Sequence, residues 1–288
     1  MKKNVFIIII LGVIVFGLGM TYTFGLFYNP ETPEPKSDKD TQEEDIPEMM
    51  SIDEGLRIAE QYKLESSEVI EYSSFLKTDG DECLVFDSDI ASYKIQASDG
   101  SLLSLYRKDI ESSDDISVTI QEAENIAREA VAKYRKDFDL DQMTQTIAEL
   151  QESKNDNRYV FEWRLYKKGV DIGHTIWVEV TGTGQFKAFM CNSNIDFEPD
   201  LSKVKFTAEE IKELSIQFLK SYLSDEKARN LTAGEPELVI GEEESICWLI
   251  ELTTYETDAN NPDLPPDEYY YLLKINAETG EIVENLSG

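Results

Sequence analysis

Leu272-Leu273-Lys274-Ile275-Asn276-Ala277-Glu278-Thr279-Gly280-Glu281-Ile282-Val283 reads as an alternating strand, a turn and an apolar strand, and the pattern occurs twice earlier in the 288-residue chain. The middle copy is Trp177-Val178-Glu179-Val180-Thr181-Gly182-Thr183-Gly184-Gln185-Phe186, and the first is Tyr93-Lys94-Ile95-Gln96-Ala97-Ser98-Asp99-Gly100-Ser101-Leu102-Leu103. Gly100, Gly184 and Gly280 stand where a hairpin turn calls for positive φ, which only glycine adopts without steric cost. Ahead of each hairpin lies a helix with one kind of opening: Ser51-x-x-Glu54, Thr119-x-x-Glu122 and Thr207-x-x-Glu210. There the hydroxyl caps an orphan amide and the carboxylate reaches back to the cap. From cap to glycine the separations are 49, 65 and 73 residues. The chain therefore reads as three helix-then-hairpin units, α+β in class, each a helix packed on its own antiparallel sheet.

In the unit over residues 51–110, Ile52, Leu56, Ala59 and Tyr62 give a short helix its apolar stripe. Strands are expected over Val69 to Phe75 and Cys83 to Phe86, joined at Asp79-Gly80, then from Tyr93 to Leu105. In the unit over residues 117–200, Ala123, Ile126, Ala127, Ala130, Val131 and Tyr134 share a helix face, and Tyr159, Phe161, Trp163 and Leu165 alternate along a hairpin strand. Residues 204–288 repeat this with Ile211, Leu214, Phe218 and Tyr222, then Ile246, Trp248, Ile250 and Leu252. Tyr134 and Tyr222 follow their caps by fifteen residues, whereas Tyr62 follows Ser51 by eleven, so the first helix is one turn shorter. Since the later units each carry a capped helix, two hairpins and a tryptophan, residues 112–288 are expected to fold without the first.

Lys2 and Lys3 precede an uncharged run from Asn4 to Pro30, longer than the ~20 residues that cross a bilayer as a helix. This predicts a cytoplasmic tip and transmembrane anchor in residues 1–28, with the lipid bilayer as a partner and the rest of the chain outside. The location expected is the cell membrane, single-pass, with an extracellular C-terminal domain. A cleaved signal peptide fits less well, because its apolar region runs to about 7–15 residues before a small-residue cleavage site. Residues 29–50 carry Pro30, Pro33, Pro35 and Pro47 among eight acidic and two basic residues, an acidic spacer. The formal charge is -31, and setting aside four basic and eight acidic residues in positions 1–50 leaves 23 basic and 50 acidic, a net -27. The acidity belongs to the folded part, which excludes nucleic acid or an anionic lipid surface as its partner.

The helix with Glu122-Ala123 or Glu209-Glu210 at its start, and the closing strand Asn276-Ala277-Glu278-Thr279-Gly280, resemble the PepSY domain of secreted metallopeptidase propeptides and bacterial cell-surface proteins. Lys168-Gly169-Val170-Asp171-Ile172-Gly173 resembles the loop before the closing strand in such propeptides. The resemblance covers residues 117–288 and, less completely, 51–110. It implies inhibition, chaperoning or sensing outside the cell by protein contact; together with the N-terminal run, the expected function is that of a membrane-anchored extracytoplasmic module that regulates a secreted peptidase, a wall hydrolase or a sensor kinase. It carries over no catalytic residue and no cofactor. The alternative is a passive acidic surface protein.

Direct inspection points to binding rather than turnover. His174 is the one histidine, expected on a hairpin surface, so no His-Glu-x-x-His zinc site can form. Cys83, Cys191 and Cys247 lie in different units without metal-like spacing, which leaves small apolar packing or one disulfide plus a free thiol open. Asp79-Gly80-Asp81-Glu82 and Asp87-Ser88-Asp89 lack the later ligands of a calcium loop and read as acidic turns. The stretch from Glu256 to Asp267 is longer than a hairpin needs, and its Asp258, Asp263 and Asp267 are the candidate partner-binding residues.

Overall fold

The structure, a computed structural model, describes residues 50–285 apart from 79–80, 112, 155, 193–196 and 258–264. Three principal helices form where the caps stand: α1 over Ile52–Ala59, α2 over Ile120–Tyr134 and α3 over Ala208–Lys220. Ser51 accepts from the Glu54 amide at 3.2 Å. Thr119 and Thr207 build reciprocal boxes, each hydroxyl accepting from its glutamate's amide at 3.3 Å while Glu122 or Glu210 takes the cap amide at 2.8 Å. A short α4, Asp225–Asn230, follows α3.

The strands of the first unit are β1 (Glu71–Thr78), β2 (Asp81–Asp87), β3 (Ala91–Gln96) and β4 (Leu102–Arg107). Those after α2 are β5 (Thr144–Gln151), β6 (Arg158–Lys167), β7 (Val170–Thr181) and β8 (Phe186–Asn192). Beyond α3 come β9 (Thr232–Ala233), β10 (Glu237–Ile240), β11 (Ile246–Glu256), β12 (Asp267–Asn276) and β13 (Ile282–Asn285). The three turn glycines have φ of 76°, 84° and 74° at Gly100, Gly184 and Gly280, as their place in the pattern requires.

Each glycine turn packs against the residue just before a helix cap. A Cβ on Gly100 would lie 2.8 Å from Met50 Cε, one on Gly184 2.8 Å from Val118 Cγ1, and one on Gly280 2.8 Å from Phe206 Cζ. Backbone bonds hold the same seams: the Met50 amide donates to Ala97 at 3.0 Å, Val118 to Gly182 at 3.3 Å and Lys205 to Ala277 at 2.8 Å. Helix start and hairpin end are therefore locked together in every unit.

The arrangement of the units corrects the expected fold. Separate antiparallel sheets do not form; one mixed sheet of thirteen strands runs through the described residues in the order β1-β2-β3-β4-β8-β7-β10-β11-β12-β13, with β5 and β6 branching from β7 and β9 beside β11. The reason lies in the strand edges. Left alone, β4 and β8 would each present an open row of amides and carbonyls, and they close it on one another at Ser104↔Met190, Leu105↔Phe189 and Tyr106↔Ala188. On β7, β6 fills one side from Val170 to Thr181, while β8 covers only Thr175 to Val180 of the other. The uncovered start of β7 takes β10 in parallel at Asp171↔Val239. Val170, Ile172, Phe197, Ile246 and Ala277 form a small core at that junction. Among the described residues no helix is long and apolar enough to cross a membrane, and the expected anchor at residues 1–28 and spacer at 29–50 lie outside them save for Met50.

The cores follow the sheet. A single cluster joins Leu84, Phe86, Tyr93 and Leu105 of the first unit to Ala127, Tyr134, Phe161, Trp163 and Phe189 of the second. Ile211, Leu219, Ile250, Leu252, Leu273 and Ile275 make a separate core under α3. All three cysteines are buried. His174 is also buried, at 3% exposure, rather than on a hairpin surface. Its ring stacks on Phe138, centroids 4.0 Å apart and 19° from parallel, and Nδ1 has no hydrogen-bond partner. Burial, reinforced by the nearby Arg135, lowers its pKa to about 4.

Three outcomes follow. Gly184→Ala should lower stability by about 1–3 kcal/mol through φ strain and the Val118 contact. Combined with Val118→Ala, it should cost less than the sum of the single changes in urea unfolding; strict additivity would uncouple the turn from the cap. A chain reduced to residues 112–288 should lose cooperative unfolding and the near-ultraviolet signal of Trp163, because β8 and α2 would lose their cover; full retention would show an independent core. His174 is neutral when folded but takes a proton near pH 6.5 when unfolded, so its contribution is complete above that pH and declines as pH falls toward 4. Between pH 7 and 5 the loss should be about 2 kcal/mol, and it should disappear in His174→Phe.

Candidate functional site

The acidic trio does not come together as a described site. Asp267 opens β12 opposite Glu256 and is exposed, whereas Asp258 and Asp263 lie outside the described residues. The described residues hold no cluster of His, Cys, Asp or Glu fit to bind a metal. In the other acidic turn, Asp87 pairs with Lys108, and Ser88 donates to Glu68 at 2.5 Å. Burial opposes ionisation of Asp87, but hydrogen bonds from Lys108, Ser73 and Ser92 outweigh it and hold the carboxyl below its usual range. These groups shape the fold, as expected of an ordinary turn.

The first exposed feature with a shape of its own is the outer strand β1. Within the described sheet it pairs only with β2, so its other edge is open. Helix α1 has eight residues against fifteen in α2, about 12 Å of helix instead of 22 Å. Gly55 brings it down onto Leu84 and Phe86 of β2, where an added Cβ would lie 2.7 and 2.8 Å from their side chains. Tyr72 and Phe75 stand opposite Phe86 and Leu84 on that face, and the short helix leaves them 39% and 41% exposed. Val69, just before the strand, is 68% exposed.

Glu68 fixes this ledge in place. Its buried carboxylate accepts from the Leu64 amide at 2.8 Å, from Ser88 Oγ at 2.5 Å and from the Tyr93 hydroxyl at 2.7 Å. Burial opposes its ionisation, but these bonds prevail and depress its pKa. Beside the ledge is a hollow of about 460 Å³, lined by the carboxylates of Glu71, Asp87 and Asp89, by three serines and by Val69 and Tyr72. A bulge between Tyr72 and Ser74 bends the strand there, and the bulged Ser73 bonds Asp87. Open amides, apolar side chains and carboxylates lie together at one edge. The chain's only sequence sign of this was the early Tyr62, which marks the shortened helix.

A second cavity, of about 470 Å³, lies where the end of α2 meets the first unit, between Tyr62 and Ser101 on one side and Lys133 to Asp137 on the other. Arg135 is its fixed wall, 4% exposed. It donates to Asp137 at 2.9 and 2.6 Å, to the Leu102 carbonyl at 3.3 Å and to Cys191 Sγ at 2.6 Å. Its guanidinium lies 4.2 Å from the centroid of Phe138, whose ring also meets His174. Burial pushes the Cys191 thiol up to about 12, so it stays protonated beside the arginine. In the sequence, Tyr134-Arg135-Lys136-Asp137 reads as an ordinary charged helix end, with no local sign of this cavity.

Comparison with known proteins adds the lineage. No curated protein matches the chain. Among solved structures, the Bacillus megaterium YpeB C-terminal domain is similar, with a TM-score of 0.43 and 19% identity over 83% of this chain and 98% of that one. Residues 48–193, which hold the first two helix units and their shared core, match DUF4901, the YcdB, YcdC repeated domain. The chain thus belongs to the YcdB, YcdC repeated-domain family.

Proposed function

We propose that this chain is an extracytoplasmic, PepSY-related module that regulates another exported protein by binding it, without turnover of its own. The observation that carries the reading is the β1 edge, where an open strand, the half-exposed Tyr72 and Phe75, and the acidic hollow coincide. An extended segment added there would gain main-chain hydrogen bonds and place alternate side chains on the ledge. The occupant is a basic segment of a partner protein. Glu71, Asp87 and Asp89 flank the strand, and the net charge of -31 repels a second copy of the chain. Export is supported by Lys2 and Lys3 followed by the apolar run to Pro30, and the PepSY kinship by the capped helices and glycine hairpins.

A photo-crosslinking residue at position 75 of the full chain, in its own cells, should yield an adduct with one exported protein. The same residue at Tyr222, 73% exposed in the third unit, should not. Tyr72→Lys in that same chain should abolish the adduct while unfolding stays cooperative. Binding should weaken as salt shortens the Debye length from about 10 to 3 Å. Asn at Asp258, Asp263 and Asp267 should leave the adduct intact; its loss in that variant alone would move the contact to the β11–β12 connection. Absence of any adduct dependent on β1 overturns the assignment to this edge.

A further inference from the structure

The cavity at the end of α2 has the opposite character from the β1 hollow, and we propose that it binds a small multivalent oxyanion, a phosphate or polycarboxylate. In a chain with 58 acidic and 27 basic residues, Lys133, Arg135 and Lys136 line one cavity together. Asp137, the carboxylate among its lining residues, is already held by both arms of Arg135. Lys133 reaches the Tyr134 hydroxyl at 3.1 Å and lies 4.7 Å from that ring's centroid. Among the described residues neither Lys133 nor Lys136 forms an ion pair, although carboxylates outnumber cations in the chain about twofold.

A lysine in the last turn of a helix complements the carbonyls left open there, which accounts for Lys133. Arg135, at the end of the helix, is accounted for by its own bonds, whereas Lys136 lies beyond the helix with no ion pair among the described residues. Arg135 is fixed by Asp137, Leu102 and Cys191, so its guanidinium is in place before a ligand arrives and costs no reordering, while its charge is shared with Asp137 and the unpaired cations are Lys133 and Lys136. Gln61, Tyr62 and Ser101 also line the cavity, and each carries a side-chain hydrogen-bond donor. Burial raises the Tyr62 pKa, so its phenol remains a donor at neutral pH. A cavity of about 470 Å³ falls in the size range of small-molecule sites, and a wall of donors and cations selects an acceptor-rich anion.

Because Tyr62 and Ser101 belong to the first unit and Lys133 to Lys136 to the second, a bound anion would bridge the two and stabilise the folded chain. The full-length chain is titrated with inorganic phosphate and, separately, citrate, at ionic strength held constant with chloride, while the thermal unfolding midpoint is followed. A saturable rise with either anion is expected, the more effective one distinguishing a phosphate from a carboxylate preference. Lys133→Ala with Lys136→Ala should weaken the response about tenfold or more, read as the midpoint shift from that variant's own unliganded value. Lys154→Ala with Lys203→Ala, both exposed and remote in sequence, should leave it unchanged. No rise above the chloride control, a rise that survives loss of Lys133 and Lys136, or one equally lost in the Lys154 and Lys203 variant overturns the site.

Discussion

Every unit of this chain depends on the contact between a turn glycine and the residue that precedes a helix cap. Met50, Val118 and Phe206 occupy the space that a Cβ on Gly100, Gly184 or Gly280 would need. The turn must be glycine twice over, once for its positive φ and once for the neighbour pressed against it. That neighbour also fixes where the helix starts, because the cap hydroxyl follows at the next position. Cap bonds are each worth about 1 kcal/mol and a small hairpin is marginal alone, so neither end would hold its place unaided. Together they set the angle at which each helix crosses its strands.

The first unit shows what happens when this lock is present but the helix is short. Eight helical residues cover Leu84 and Phe86 but leave the edge strand half-bare, and a segment of about 60 residues buries too little surface to be secure alone. Its apolar interior therefore continues into that of the second unit, and β4 and β8 supply the seam. The match of the family to residues 48–193 as one domain agrees with that shared core. The third unit keeps its own core and joins through the four residues of β10 and the patch around Val170 and Ile172.

What was legible in the sequence was local. Ser51, Thr119 and Thr207 mark helix starts because capping is settled within four residues, and the hairpin glycines mark turns for the same reason. The joins between units were not legible. Leu105 and Phe189 are ordinary apolar strand residues whose pairing spans more than eighty positions, and β10 meets β7 in parallel at a single described pair. His174 misled for a related reason: alternation placed it near a hairpin, but Phe138, which encloses it, comes from the segment after α2. The ledge had a faint local trace in the early Tyr62. The cavity at Arg135 had none, since its walls are assembled from residues 61–62, 101–102 and 133–137.

Charge then separates the two surfaces in kind. An open strand edge is a hazard for any protein, and natural edges are guarded by bulges, by lysines and by repulsion. β1 carries a bulge at Tyr72 to Ser74 and Lys77 toward its far end, while Glu71 and Asp89 stand near its start. In a chain of net -31, two such edges brought together would set carboxylates against carboxylates, so the guard works best against the protein's own copies. The same carboxylates attract a segment rich in lysine or arginine. Under the proposed function, one arrangement would both disfavour self-pairing and favour a basic partner, whereas the cations around Arg135 lie at the end of α2 in another part of the shared core. If both proposals hold, opposite charge requirements would let the two sites be occupied without competing for one ligand.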